Sequence, residues 1–373
     1  MNDIANPQSR MRAYLQLVAT GPELSKSLDR AQAEDGMSMI LNGEIDAVRA
    51  GIFLIALRMK RESDAENIGI LNALMAQLRT QQTASPEILA VADPFNGCLR
   101  GMIATPFLPA LFAACGLPTY IHGLESVGPK YGITARMVLA AAGKNVDQDL
   151  SDGAACLDNA AVGWCYLDQK HYIPRLHDLV ELRDAMVKRS CLSTLEVVLR
   201  PLFGARATHL LTGFVHKVYP PIYALLAQHC GFDSAMIIRG VEGGCIPSLS
   251  QVSRYFAYRN DRDDDGVKLH RLAPRELGIE QNARMVAIPN RFASAMKQTG
   301  FGKTRALDAV AAHNLELGRD ALANKPGAMR DSLVYGAAIG LAHVGLAASL
   351  ADGAQRARKA IASGDALARF QAG

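Results

Sequence analysis

Apolar positions in the first eighty residues recur at helical spacing. Ile40 and Leu41 are followed by Leu54, Ile55, Leu57 and Met59, with Asn42-Gly43 between them as a helix stop or turn. Ser63 is a good N-cap and Glu66 stands three residues later, which makes a capping box. The helix beyond it carries Ile68, Leu71, Leu74, Met75 and Leu78 on one face, and no β-rich run interrupts the segment. The pattern changes after Thr83-Ala84-Ser85-Pro86. A short apolar run, Ile88 to Ala92, ends at Asp93-Pro94 and leads into a loop through Asn96, Gly97 and Gly101. A helix is predicted from Pro106 to Cys115, closed by Gly116-Leu117-Pro118, and then a strand, Thr119 to Ile121, stopped by His122-Gly123. This rhythm of strand, loop, helix and strand argues for an α/β unit with a parallel sheet.

Further strands are predicted at Ala207 to Phe214, Ala235 to Arg239 and Met285 to Pro289, with a helix from Pro221 to Cys230. Residues 303–323 and 332–350 read as helices. Leucines at 176, 179, 182, 192, 195 and 199 make Tyr172 to Leu202 a helical insert that can pack back on the N-terminal helices. The expected protein is therefore α/β. A small all-helical domain spans residues 1–84 and is completed by the insert 172–202. A large domain, 85–171 and 203–373, has a mainly parallel central sheet flanked by helices.

Composition narrows the function classes. The 373 residues are 49% hydrophobic and 20% charged, with a formal net charge of +4, which excludes a disordered or acidic solvating chain. That charge alone does not mark a nucleic-acid binder. Seven cysteines are scattered without a C-x-x-C pair, as in a reducing cytosol. No signal peptide is expected, and Ser332 to Ala351, rich in alanine and glycine, reads as a buried helix and not a membrane span. A cytoplasmic protein without membrane attachment is the expectation.

Residues 41–69, LNGEIDAVRAGIFLIALRMKRESDAENIG, resemble the N-terminal helical motif of the anthranilate phosphoribosyltransferases and the related nucleoside phosphorylases, glycosyl transferase family 3. The closing segments GRDALANKPGAMRDSLVYGAAIGLAHVG and SLADGAQRARKAIASGDALARF resemble that family's last helices, and the likeness covers roughly residues 10–370. The family's site motifs are rewritten. Its phosphoribosyl-diphosphate loop, Gly-Thr-Gly-Gly-Asp, corresponds to Asp93-Pro94-Phe95-Asn96-Gly97-Cys98-Leu99-Arg100, with one glycine and a bulky Phe95. Its Asn-x-Ser-Thr motif corresponds to Ala104-Thr105-Pro106-Phe107, which keeps only the Thr105 hydroxyl. Its Lys-His-Gly-Asn-Arg motif and following turn correspond to Ile121-His122-Gly123-Leu124-Glu125 and Gly128-Pro129-Lys130-Tyr131-Gly132. Its magnesium-binding Asp-Glu pair is replaced by Cys245-Ile246 after Arg239-Gly240-Val241-Glu242-Gly243-Gly244, so no magnesium is expected in the usual site.

Phe95 to Arg100, Tyr120-Ile121-His122-Gly123 and Arg239 to Gly243 look like a divergent branch of the family. That resemblance implies a homodimer joined through the helical domains and nucleic-acid binding in a basic groove. Arg183 falls where the family holds its acceptor's carboxylate.

The candidate ligand-binding residues are Asn96, Gly97, Arg100, Thr105, His122, Gly123, Lys130, Arg183 and Glu242; no catalytic residue is assigned. Two readings follow. In the first, a phosphoribosyltransferase-like site binds a phosphorylated sugar or nucleotide-like ligand in the interdomain cleft, for (phospho)ribosyl transfer other than to anthranilate. In the second, a non-catalytic dimer binds single-stranded nucleic acid through Arg100, Lys130, Arg136, Lys188, Arg189 and Arg200. Asp261-Arg262-Asp263-Asp264-Asp265-Gly266 lacks the twelfth-position Glu of a calcium loop and reads as solvated. Gly302-Lys303-Thr304 lacks the first glycine of a P-loop.

Overall fold

The computed structural model describes residues 6–21, 23–260 and 266–373, so the acidic run Asp261–Asp265 lies outside the described residues. The chain opens with four helices, each started by a side-chain cap. In α1 (Pro7–Val18) Asn6 accepts from the Gln8 N–H, and in α2 (Arg30–Leu41) Asp29 and Gln32 form a capping box. In α3 (Ala47–Lys60) Asp46 accepts from the Arg49 N–H. In α4 (Asp64–Gln77) Ser63 and Glu66 close the box that the sequence predicts. Glu66 is fully buried. It also accepts from the Leu28 N–H at 2.9 Å and pairs with Lys60 at 2.6 Å, which ties α4, the end of α3 and the segment leading into α2 to one carboxylate. Gly69 lets α4 touch α2, since a Cβ there would lie 2.3 Å from the Arg30 carbonyl oxygen.

The strands among the described residues are β1 (Gln81–Gln82), β2 (Glu87–Ala92), β3 (Thr119–Gly123), β4 (Trp164–Asp168), β5 (Leu202–Phe203), β6 (Ala207–Phe214), β7 (Ser234–Arg239), β8 (Ser253–Arg259) and β9 (Lys268–Leu272). β1 and β5 form a small parallel pair. The other seven form one sheet in the order β4-β3-β2-β6-β7-β8-β9, parallel from β4 to β7 and antiparallel through β8 and β9. The parallel strands are buried on both faces, which is why they read as unbroken apolar runs. Leu89, Val91, Ile121, Leu211, Met236 and Ile238 pack under the C-terminal helices. Ile88, Ala90, Tyr120, Leu210, Ala235 and Ile237 share a core with α1–α4 and with the Tyr172–Leu199 segment. The protein is thus α/β, with an N-terminal helical bundle beside a mainly parallel mixed sheet.

Several expectations are corrected. Residues 285–289 form no strand. Val286 makes a single antiparallel bridge to Met102, and Pro289 removes the next donor. β4, β8 and β9 carry no sequence signal as strong as their pairing. The 172–202 insert is broken into short helices, Pro174–His177, Val180–Ala185 and Leu192–Leu195, with Val187 left-handed at φ 58° between the last two. Residues 332–350 are not one helix. Ala328–His343 is a buried helix that stops before Gly345, and Leu350–Ala362 starts another. Among the described residues no helix is long and apolar enough to cross a membrane. All seven cysteines are unpaired.

Candidate functional site

The parallel strands end on one side of the sheet, and the loops after β2, β3, β6 and β7 converge there, the edge where open α/β sheets place ligands. The loop after β2 is locked to the loop after β3. The Cys98 N–H donates to the Ile133 carbonyl and the Ile133 N–H to the Cys98 carbonyl, both at 2.9 Å, and the Gly132 N–H donates to the Asn96 carbonyl. Gly97 has φ 74°, and a Cβ on it would lie 2.3 Å from the Gly132 carbonyl oxygen. Gly97 is therefore required by loop-on-loop packing.

Glu242 organises this junction. It sits in the left-handed region at φ 56°, ψ 12°, just past the end of β7. Its carboxylate accepts from the Leu99 N–H at 3.1 Å, the Arg100 N–H at 2.7 Å and the Cys98 thiol at 2.5 Å, and pairs with the Lys130 Nζ at 2.6 Å. Burial pushes this carboxyl up, but the Cys98 thiol, Lys130 and the loop N–H outweigh it and hold it below the usual carboxylate range. Burial, then the Glu242 charge and hydrogen bond, push the Cys98 thiol up to about 12. Two backbone N–H groups, a thiol and an ammonium thus form an anion cradle, and a tethered carboxylate fills it.

Beside the cradle lies a mostly apolar cavity of about 70 Å³, lined by Phe95, Gly97, Ile103, Thr105, His122, Gly123, Tyr166 and Glu242 among others. His122 is buried. Its Nδ1 lies 3.0 Å from the Tyr172 hydroxyl, Phe95 packs edge-on to its ring, and Nε2 has no hydrogen-bond partner among the described residues. Burial pulls its pKa down to about 3, so the ring is neutral at physiological pH. The Thr105 hydroxyl donates to Asp93, whose other oxygen accepts from the Cys245 N–H at 2.8 Å. Burial pushes the Asp93 carboxyl up against both of these bonds.

The cations that the sequence nominates are not lined up along one groove. Arg183 is buried and donates to both oxygens of Glu196 at 2.7 Å, so its fork is already filled by an internal carboxylate. Arg136 lies among Asp168 at 2.8 Å, Asp147 at 2.7 Å and Glu125 at 3.5 Å. Lys130 is paired with Glu242. Arg200 sits at the opposite edge of the sheet, over the Phe203 ring and against Gly231, before β7 begins. Arg100, Lys188 and Arg189 are exposed. Sequence reasoning missed Asp93, Cys98 and Asp168 as members of the site. Asp93-Pro94 at a strand end was the available signal; the others come together only through the fold.

Cys245-Ile246, where the resemblance implies an acidic pair, does not fit magnesium. The Cys245 thiol faces the carbonyl oxygens of Ala92 and Leu211, and Ile246 has no donor, so the hard oxygen ligands are missing. Among the described residues no cluster of three or more His, Cys, Asp or Glu side chains could hold a metal ion.

A helical bundle stands beside an α/β domain with a strand-end cleft, and the comparisons with known proteins follow that architecture. Residues 12–78 match the model described as glycosyl transferase family, helical bundle domain. The chain is 29% identical to the anthranilate phosphoribosyltransferase of Methylobacterium radiotolerans, over 96% of this chain and 93% of that one. It is 25% identical to an uncharacterized protein of Aquifex aeolicus, over 68% of this chain and 74% of that one. The anthranilate phosphoribosyltransferase of Thermus thermophilus superposes with a TM-score of 0.71 at 18% identity, covering 98% of this chain and 99% of that chain. The Saccharomyces cerevisiae anthranilate phosphoribosyltransferase, solved with PRPP and Mg, gives 0.74 at 14% identity, covering 98% and 96%. Along nearly its whole length the chain is therefore similar to anthranilate phosphoribosyltransferases, and its N-terminal bundle matches the helical bundle domain of a glycosyl transferase family.

Proposed function

We propose that this protein binds a phosphorylated sugar or nucleotide-like ligand in the interdomain cleft and does not carry out anthranilate phosphoribosyl transfer. The observation that carries the reading is the cradle of Leu99 N–H, Arg100 N–H and Lys130 Nζ, already closed on an oxyanion. A ligand phosphate that displaces the Glu242 carboxylate inherits those donors, and the free Nε2 of His122 offers one further hydrogen bond in the adjoining cavity. Transfer of a pentose from such a ligand depends on held phosphates and a screened centre more than on a side-chain nucleophile. The lost acidic pair and the filled Arg183 fork argue against the anthranilate reaction.

Dimerisation through the helical domain belongs to the same proposal. α1, α3 and the Val180–Ala185 helix border an apolar groove of about 680 Å³, and Val48, Ile52 and Met59 on α3 are exposed around it. The nucleic-acid reading retains Arg100, Lys188 and Arg189 as its free cations.

The test combines thermal shift with turnover. Phosphoribosyl diphosphate, ribose 5-phosphate and nucleoside monophosphates are titrated against the intact protein, and product formation is followed with anthranilate and magnesium. The expected result is a rise in Tm with at least one phosphorylated ligand and no phosphoribosylanthranilate. A flat response across the panel, or turnover of anthranilate, overturns the proposal.

A further inference from the structure

A second cavity, of about 100 Å³, lies on the helical-domain side of the Phe95-Asn96 loop. Its walls come from three places far apart in sequence: Arg58 on α3, the Arg189–Thr194 segment of the insert, and the loop from Gly213 to Tyr219 after β6. The lining is rich in cationic and hydroxyl groups, with two carboxylates, Glu196 and Glu242, also in the wall. Two guanidiniums, the His216 ring and the hydroxyl residues Ser190, Ser193, Thr194 and Tyr219 contribute to the lining.

The carboxylates in the wall do not neutralise those cations. Glu196 is held by both arms of Arg183, and Glu242 by Lys130 and the loop N–H groups. Arg58 forms a long ion pair with Glu62, at 3.8 Å, an acid outside the cavity wall. Arg58 is steadied by a neutral group, the Tyr219 hydroxyl, which accepts from its Nη1. Arg189 is likewise steadied by an amide. With its oxygen turned toward the guanidinium, Asn96 accepts from Nε at 2.9 Å and Nη2 at 3.1 Å. Arg189 is therefore oriented by a neutral group alone, and Arg58 by a neutral hydroxyl beside its long pair with Glu62. Lys188 and Lys217 add positive charge on the exposed surface nearby.

We infer that this cavity is a second anion site, distinct from the Glu242 cradle, and that it takes a terminal phosphate monoester. Two oriented guanidiniums and a cluster of hydroxyls match a tetrahedral dianion. The volume is well below that of a pocket for a whole organic ligand, typically about 300–1,000 Å³. The rest of the molecule therefore stays outside the cavity. The same end group is found on a sugar phosphate, a mononucleotide or a 5′-phosphorylated oligonucleotide.

The experiment measures binding by calorimetry at low salt. The probes are inorganic phosphate, ribose 5-phosphate, and a short oligothymidylate with and without its 5′-phosphate. Wild type is compared with Arg189→Ala, Ser193→Asp and Lys130→Ala. The inference expects phosphate and at least one monoester to bind, with affinity falling at least tenfold in Arg189→Ala and Ser193→Asp. A preference for ribose 5-phosphate identifies a small-molecule source; a preference for the phosphorylated over the unphosphorylated oligonucleotide identifies a strand end. No phosphate binding, or binding that Arg189→Ala and Ser193→Asp leave unchanged, overturns the inference. Binding lost only in Lys130→Ala overturns it while supporting the Glu242 cradle as the phosphate site.

Discussion

Replacing Glu242 by Gln tests whether the strand-end junction is held by charge. The amide keeps the shape of the carboxylate but loses the ion pair with Lys130 at 2.6 Å and presents its NH2 to donors in place of one acceptor oxygen. The partners are largely enclosed, with side-chain exposures of 13% for Lys130 and 8% for Glu242. Breaking a fully buried pair costs about 3–5 kcal/mol, and a charged hydrogen bond contributes about 1.5–3 kcal/mol. Residual solvent access and the retained amide oxygen put the loss here at about 2–3 kcal/mol. Unfolding entropy of about 2.1 cal/mol/K per residue over 373 residues gives about 0.8 kcal/mol/K. The expected drop in Tm is therefore about 3–4 °C, read by calorimetry at pH 7.

A companion variant, Glu242→Gly, empties the cradle and relieves a side chain at φ 56°. Phosphate should stabilise this variant more than wild type, by about 1.4 kcal/mol at a concentration ten times the dissociation constant. An unchanged Tm in Glu242→Gln would show that the pair contributes nothing. An equal phosphate response in Glu242→Gly and wild type would show that the carboxylate blocks no anion site.

Three further outcomes follow from the same geometry. Arg183→Met strands the buried Glu196 carboxylate and should cost about 3–5 kcal/mol, while Arg183→Met with Glu196→Leu recovers most of it; equal loss in both refutes an internal pair. His122 has a pKa of about 3 in the fold against 6.5 when free. Below pH 6.5 the unfolded chain binds the proton that the folded one refuses, so its contribution to stability falls by about 1.4 kcal/mol per pH unit as pH drops. His122→Gln should flatten that part of the denaturation-against-pH curve, leaving what His209 and His229 contribute, whose pKa values burial also lowers. Ile52→Glu, placed on the exposed face of α3, should convert dimers to monomers in light scattering without lowering helicity; an unchanged mass removes α3 from the interface.

Much of the fold was legible because local chemistry and tertiary demand agree. The Ser63–Glu66 box, the strand ending at Asp93-Pro94, and β6 and β7 as apolar runs all appear where the pattern puts them. β8 and β9 were not legible, because a hairpin at a sheet edge needs neither an apolar run nor a strict alternation. The Tyr172–Leu202 insert kept its leucines in the core but not in one helix, since Pro174 and the left-handed Val187 interrupt the backbone.

The site divides in the same way. Sequence alone was enough to place His122 at the end of a strand and Lys130 and Glu242 in loops beyond strand ends; residue identity and order suffice for those statements. Only the tertiary structure decided which charges are free. Lys130 and Glu242 stand 112 positions apart in the chain, and Arg183 and Glu196 lie on different short helical turns, yet each pair closes in the fold. A side chain's partner depends on through-space distance and burial, which the linear pattern does not encode. The fold spends the predicted cations Lys130, Arg136 and Arg183 on internal acids, and brings Arg58 to Arg189 across the cleft.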